Sequence, residues 1–462
     1  MYKLIDWGKP NILLWSFQVL LLIYIVIIAW PGHFYFLNDD FIHIPIAGTG
    51  NIAKGSLLRP ISDLSLWLDF KYWGKNAFGY HLTNLLIHIS NSTLLFLFLL
   101  RFYSSNGGGR SKVKALFSAS LFLVYAYHSE SIFWIIGRGG SLTTFFMLLS
   151  LSSLTFLQYK TWGTITALFF FTIGFFTYET IWVFPIILGL AWVFNINLGI
   201  DRVRLILFGI TFLILLYVRF TILAKPIDGY EAGTIINFNL SKLLYNGAAL
   251  FSRCFIPPLA NSYIFSLLFG VVVIVLFLSI RLAKDKLVYF YFFALLISLF
   301  PVISLGIDTH DSESERFIYM ATVFAVLLIS ELLFKLRENR IFMLGGLLIA
   351  FHCMLLYQNS LDYKFSGIIS NQSLLCLKAV QKKHLVVYNL PAQYKGAFIF
   401  RIGFTDALRW INDQRFDTIE VKNVKSFNAK FSSLKCNNTT TLSHTGNASI
   451  ISWVSDSLNF TE

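Results

Sequence analysis

Charge is scarce in this sequence. Of 462 residues only 13% are Asp, Glu, Lys or Arg, against 56% hydrophobic and 17% aromatic, and a chain of that balance cannot bury its apolar surface in one aqueous core. An ordinary soluble enzyme is excluded, and lipid must serve as solvent. Also missing are a Gly-rich phosphate loop of the Walker type, a Cys/His metal spacing and any fixed-period repeat. Energy for any reaction must therefore arrive with the substrate. Cysteine is limited to four residues. Cys254 and Cys353 lie in or beside apolar runs, while Cys376 and Cys436 share a polar tail, where a disulfide and two free thiols stay equally open.

What the chain has is long hydrophobic runs. They fall near residues 11–30, 81–100, 115–127, 141–157, 163–178, 181–195, 205–223, 263–280, 287–305, 317–334 and 341–357, so a polytopic α-helical membrane protein with about 11 transmembrane helices is expected. Several runs are shorter than an isolated span needs, which places those helices inside the bundle. The first run follows "MYKLIDWGKP" with no small-residue cleavage site, and reads as a retained helix. The net charge of +13 would suggest nucleic acid in a soluble protein. Here the basic residues sit in "RFYSSNGGGRSKVK", "NLGIDRVR", "RLAKDK" and "KLRENR", between spans, where they set orientation. A nucleic-acid partner is discounted. The N-terminus is expected in the cytoplasm.

The same alternation sends the acidic connections outward: Asp39, Asp40, Asp63 and Asp69, then Glu130, Glu179, Asp228, Glu231 and "GIDTHDSESER". An odd span count leaves the tail outside as well. From about residue 359 its composition turns soluble, with β-like runs "HLVVYNL" and "AFIFRI", so residues 1–358 read as the membrane domain and 359–462 as a small C-terminal α/β extracytoplasmic domain. In the first outer loop "RPISDLSLWLDFKYWG" sets Ile61, Leu64, Leu68 and Tyr72 at helical spacing behind Pro60. That predicts an amphipathic helix lying on the membrane surface.

Candidate chemistry clusters at the outer boundary. In "FYFLNDDFIHIP" the vicinal carboxylates Asp39 and Asp40 repel each other, which keeps one of them a competent base, and a solvated loop marker or a cation site are the other readings. "HLTNLLIH" puts His81, Asn84 and His88 on one face of the second span, either as interhelical hydrogen bonds or as cavity groups. "YHSESIFWIIGRGGSL" gathers His128, Glu130 and Arg138 into one short excursion, and "FFTYETIW" leaves Glu179 with no basic neighbour in sequence. Ionisable groups at such depth face cavities or one another. "HDSESERFIYM" brings Arg316 to the mouth of the tenth span, where a guanidinium suits a phosphate or a carboxylate partner. In the tail, Tyr394, Arg401 and Trp410 are candidates for sugar contact, beside the plainer reading of domain core and rim.

The order of these motifs resembles the GT-C superfamily of membrane glycosyltransferases. "NDDF" is similar to its acidic first-loop motif. "LLRPISDLSLWLDFKYWGKNAFGYHLTNLLIH" is similar to the protein O-mannosyltransferase-like members of the transmembrane and tetratricopeptide-repeat group, in which an Arg-Pro pair precedes a surface helix. "YHSESIFWIIGRGGSL" and "ERFIYM" resemble that group's His-x-Glu, Gly-Arg and Glu-Arg-aromatic signatures. The resemblance covers the membrane part only. It implies Asp40 or Asp39 as catalytic base, Arg316, Arg138, His128 and Arg59 around a carrier phosphate, and Glu130, His81, Asn84 and Glu179 in the cavity. Where the group has an acid after Gly-Arg, this chain has Gly139 and Gly140. A Lys before the later Glu is replaced by Tyr178, and the tail has no tetratricopeptide repeats.

Function is thereby expected to be transfer of a sugar from a polyprenyl- or dolichyl-phosphate carrier to an extracytoplasmic protein hydroxyl, glycan or lipid, with inversion of the anomeric centre. No cofactor or metal is expected, and a bacterial inner membrane is the favoured location. A lipid-linked sugar flippase, which predicts paired repeats, and a non-enzymatic assembly protein are the rivals.

Overall fold

The computed structural model describes residues 12–52, 58–105, 111–158, 160–222, 239–378, 384–413, 416–422, 424–427, 434–443 and 446–455. Asp228 and Glu231 lie outside the described residues, as does the side chain of Cys436. Helices run in the order α1 Ile12–Ile28, α2 Asp40–Gly48, α3 Pro60–Trp73, α4 Ala77–Ser105, α5 Ser111–Leu123, α6 Ser129–Phe133, α7 Arg138–Phe156, α8 Thr161–Phe175, α9 Phe184–Val193 and α10 Arg202–Ile222. They continue with α11 Leu240–Arg253, α12 Ser262–Ala283, α13 Lys286–Leu299, α14 Tyr319–Leu333, α15 Glu338–Lys378 and α16 Phe404–Trp410.

Each of the eleven apolar runs overlaps one of these helices, and among the described residues six helices are long and apolar enough to cross a membrane. The chain is a multi-pass helical membrane protein. Burial sorts the helices by their content of small and hydroxyl residues. In α14 almost every residue is buried, and Ser330 and Thr322 make hydrogen bonds inside the bundle, as helices packed on helices in lipid require. By contrast α12, mostly branched and aromatic, has only 11% of its span buried. Its side chains are suited to lipid rather than to a protein neighbour.

Helix α3 starts at Pro60, the favoured first position. Its predicted apolar face points away from the protein: Leu64, Leu68 and Tyr72 are exposed, while Leu66 and Asp69 are buried. The polar side of this helix thus carries the ion pair that docks it, and its apolar side is left to the membrane surface.

The tail is built on two small sheets. Strands β1 His384–Tyr388, β2 Leu390–Tyr394, β3 Ala397–Phe398, β4 Thr418–Val421, β5 Val424–Phe427, β6 Leu434–Ser443 and β7 Gly446–Ser455 form sheets of order β4-β1-β7-β6 and β3-β2-β5. Only Ala397 and Phe398 of the run "AFIFRI" are strand. The expected division between 358 and 359 falls in the middle of α15, which continues unbroken from the bundle into the tail. A shared core also joins the two parts: Phe36, Phe41, Ile44 and Tyr80 pack with Leu374, Leu385, Phe400, Phe404 and Leu408.

Candidate active site

The two vicinal acids have different surroundings. Asp40, the first residue of α2, is wholly buried; its Oδ2 accepts the Leu37 amide at 2.9 Å and its Oδ1 the Ile136 amide at 3.1 Å. Burial pushes its carboxyl well above the ordinary range, and the charge of Asp39 adds to that. Asp39 keeps part of its surface open. Burial raises its pKa too, while His43 and Arg316 are close enough to pull it back. Its polar contact through the side chain is a long 3.5 Å approach from Asn38 Nδ2. Of the pair, Asp39 is therefore the carboxylate with surface left open to a ligand.

Arg316 stands opposite on a short turn, Glu315–Phe317. Its Nη1 donates to Glu130 Oε1 at 2.8 Å, and its own amide to Glu130 Oε2 at 2.9 Å, with the guanidinium over the rings of Trp134 and Phe317. Burial raises the Glu130 pKa against the pull of Arg316. Next to it Glu315 and Arg253 form a fully buried pair at 2.5 Å, to which Ser129 adds a hydrogen bond; burial lifts the Glu315 carboxyl to about 7. A β-carbon at Gly140 would come within 2.6 Å of the Arg316 carbonyl oxygen. The glycine that stands where the related group has an acid thus admits the Arg316 turn against the start of α7.

Arg138 has another role than the phosphate contact inferred for it. It is 1% exposed, with Nη1 on Asp69 Oδ2 at 2.6 Å and Nη2 on the Tyr80 carbonyl at 3.0 Å. Those bonds pin α3 to the start of α4 and leave the guanidinium closed to any ligand. His128 is likewise sealed, its Nε2 on Thr322 Oγ1 at 2.6 Å within a stack of His88, Phe122 and Tyr319. Asn84 donates to the Trp134 carbonyl at 2.9 Å, and His81 lies 3.4 Å from the Tyr35 carbonyl, packed on Phe34. Both brace the walls of the site. In each case the side chain is buried and holds one hydrogen bond to a backbone carbonyl or a hydroxyl, while His81 Nδ1, Asn84 Oδ1 and His128 Nδ1 are buried with no hydrogen bond.

A second basic group forms where the first loop meets α10. Arg59 reaches Glu179 Oε2 at 2.6 Å through Nη2, and Arg219 reaches Oε1 at 2.8 Å. Tyr178, the residue that replaces a lysine, lies under the Arg59 guanidinium at 4.2 Å, and Trp182 under Arg219 at 4.9 Å. Burial alone would raise the Glu179 pKa, but the two arginines hold it below the ordinary value. Two guanidiniums thus share one carboxylate, and the Arg59 side chain is 19% exposed. This cluster shares α3 with the Arg138 to Asp69 pair, so it is braced to the turn that binds Asp40.

The tail reaches this end of the bundle. Arg401 pairs with Glu313 at 2.8 Å and lies over Phe398, while Trp410 packs on Phe36, Phe41 and Phe70 and Tyr394 is buried against Phe365. A polar cavity of about 360 Å³ opens beside the 305–314 loop, lined by Tyr245, Asn246, Asp308, His310, Glu313 and Ser314. Among the described residues, carboxylates of Asp308, Asp311 and Glu313 come within 4.8 Å of one another, a spacing able to hold a cation; burial raises Asp311 to about 6. Cys254 and Cys353 are free thiols, and Cys376 is disulfide-bonded.

Arg219, Arg253 and Asn38 were not singled out from sequence. Arg219 carried a usable signal, a lone arginine inside an apolar run. Arg253 and Asn38 carried none, because their importance comes from partners 62 and 364 residues away.

The fold is similar to that of ArnT from Cupriavidus metallidurans, solved bound to undecaprenyl phosphate, with a TM-score of 0.51 and 10% identity over 87% of this chain and 86% of that one. In sequence, 102 residues are 31% identical to the protein O-mannosyl-transferase Tmtc1 of Drosophila melanogaster, a match that takes in 22% of this chain and 11% of the fly protein. No protein-family profile matches the chain.

Proposed function

We propose that this chain, a multi-pass membrane protein of GT-C fold, is a glycosyltransferase that moves a sugar from a polyprenyl-phosphate carrier to a hydroxyl acceptor at the outer face of a bacterial inner membrane, with its N-terminus in the cytoplasm. The observation that carries this reading is the unequal pair of acids. Asp40 is occupied by two backbone amides, and Asp39 is left partly open near a guanidinium. In the proposed reaction Asp39 takes the proton of the acceptor hydroxyl as that oxygen bonds to the anomeric carbon. The bond from that carbon to the carrier phosphate breaks, and the lipid phosphate leaves with the electron pair. A single displacement inverts the anomeric centre.

The leaving phosphate needs cations in a setting of low dielectric. Arg59, partly exposed beside Glu179 and Arg219, is the guanidinium offered to a lipid-anchored phosphate at the membrane boundary, and the outward apolar face of α3 offers the tail a surface. Arg316, already paired with Glu130, acts on Asp39. The donor's own phosphate ester carries the energy, so no cofactor enters the scheme. The relative named an O-mannosyl-transferase makes mannose the first sugar to try.

The test is direct. Purified protein is incubated with radiolabelled polyprenyl-phosphate mannose and a panel of other lipid-phosphate sugars, and donor loss is followed. Consumption of one donor by wild-type protein, abolished in Asp39→Asn, is expected. Movement of intact donor across a vesicle membrane without cleavage would instead support a flippase.

A further inference from the structure

Three contacts converge on the residue before the proposed base. Asn38 holds a left-handed backbone, φ 49°, and its amide donates to the Ile399 carbonyl at 2.7 Å. Its Oδ1 accepts the Ile402 amide at 2.9 Å. Gly403, at φ +78°, lies so close that a β-carbon there would meet the Asn38 carbonyl oxygen at 2.4 Å. That oxygen belongs to the backbone and cannot swing aside. The rings behind these contacts are packed as well, Phe41 stacking on Phe400 with centroids 5.8 Å apart.

The same stretch of tail also holds the loop that leads to Arg316. Arg401 pairs with Glu313, Ser312 Oγ donates to the Lys395 carbonyl at 3.4 Å, and a β-carbon on Gly396 would come within 2.6 Å of the Ser312 amide. One segment, residues 395–403, therefore grips both the loop carrying Asp39 and the loop carrying Arg316. Eight of the apolar runs lie between these loops in the sequence.

We propose that residues 395–403 of the tail are a positioning strap for the active site, and that Asn38 is the positioning residue through which the strap sets Asp39 against Arg316. The tail is then part of the catalytic apparatus rather than an appended acceptor domain. This inference rests on the proposed role of Asp39. Its physical basis is that a base misplaced by about 1 Å can lose on the order of a hundredfold in rate while the donor still binds. A loop fixed only through Asp40, on the Leu37 and Ile136 amides, would leave that freedom to Asp39.

The experiment uses the full chain in detergent with polyprenyl-phosphate mannose as probe donor, and compares wild type, Asn38→Ala, Gly403→Ala and Asp39→Asn. Asn38→Ala and Gly403→Ala should each lower kcat at least tenfold, leave the donor KM within about twofold, and melt within a few degrees of wild type. A wild-type kcat in both, with Asp39→Asn inactive, overturns the strap alone. Full activity in Asp39→Asn overturns the base assignment instead. A second readout needs no sugar: carbodiimide labelling of Asp39, followed by mass spectrometry, should speed up severalfold in Asn38→Ala, and an unchanged rate counts against the strap. Should either variant fail to fold, Arg401→Gln carries the test, since that side chain is 47% exposed. It should lower kcat at least threefold at constant donor KM, and unaltered turnover would sink the proposal.

Discussion

Asp40 and Ile136 are joined across 96 residues by a 3.1 Å hydrogen bond from the Ile136 amide to the Asp40 carboxylate. With the Leu37 amide on its other oxygen, Asp40 ties the first loop to the turn ahead of Arg138, and the neighbouring Asp39 keeps part of its surface open.

The two acids should consequently fail in different ways. Asp39→Asn is expected to lower kcat by about 100-fold or more with little change in melting temperature. Asp40→Ala leaves two buried amides without an acceptor and should cost about 2 kcal/mol or more of stability, visible as a lower melting temperature in detergent. If Asp40→Ala kept both wild-type stability and wild-type rate, the division of labour would be wrong.

Removing Arg59 tests the phosphate site proposed for it. Arg59→Ala strips one of two guanidiniums from Glu179 and should raise the donor KM about tenfold, in line with loss of a charge-assisted contact. The effect should appear in equilibrium binding of undecaprenyl phosphate as well. Binding that ignores this substitution would move the phosphate elsewhere.

The Arg138 to Asp69 pair predicts a structural defect rather than a binding one. Both side chains are nearly sealed, at 1% and 9% exposure, so Arg138→Met leaves an uncompensated buried carboxylate and should cost about 3–5 kcal/mol. The double variant Arg138→Met with Asp69→Leu should recover much of that loss. Thermal melts of the three proteins decide it.

Activity should fall on the acid side. Burial raises the Asp39 pKa above the usual carboxylate value, and a base works only when deprotonated, so the acidic limb of the kcat profile should lie above the ordinary aspartate range near pH 4. Arg316→Gln removes a charge that pulls this pKa down and should move the limb to higher pH. Glu179 behaves oppositely for stability. Its pKa is held low by Arg59 and Arg219, so the stabilisation it contributes is present above its unfolded pKa and is lost as pH falls through the folded one.

Much of the fold was legible in the chain because lipid imposes a rule that length and hydropathy express directly: every backbone polar group in a span must be satisfied within its own helix. Eleven runs became eleven helices for that reason, and Pro60 marked the start of α3 because its ring suits a first helical turn. The face of α3 was legible as well: Leu64, Leu68 and Tyr72 at helical spacing predict an apolar side for the membrane surface, and all three are exposed.

The division of the site was decided only in three dimensions. Sequence presents Asp39 and Asp40 as equivalents, and Arg138, Arg316 and Arg59 as three similar cations. Their fates depend on partners distant in the chain: the Ile136 amide for Asp40, Asp69 for Arg138, Glu130 for Arg316, Glu179 for Arg59. Local composition determined that this is a helical membrane protein with its acids and arginines gathered at loop ends. Tertiary packing decided which of those groups are consumed by desolvation and pairing and which keep an open edge, because burial cost and Coulomb attraction depend on distances that periodicity does not contain.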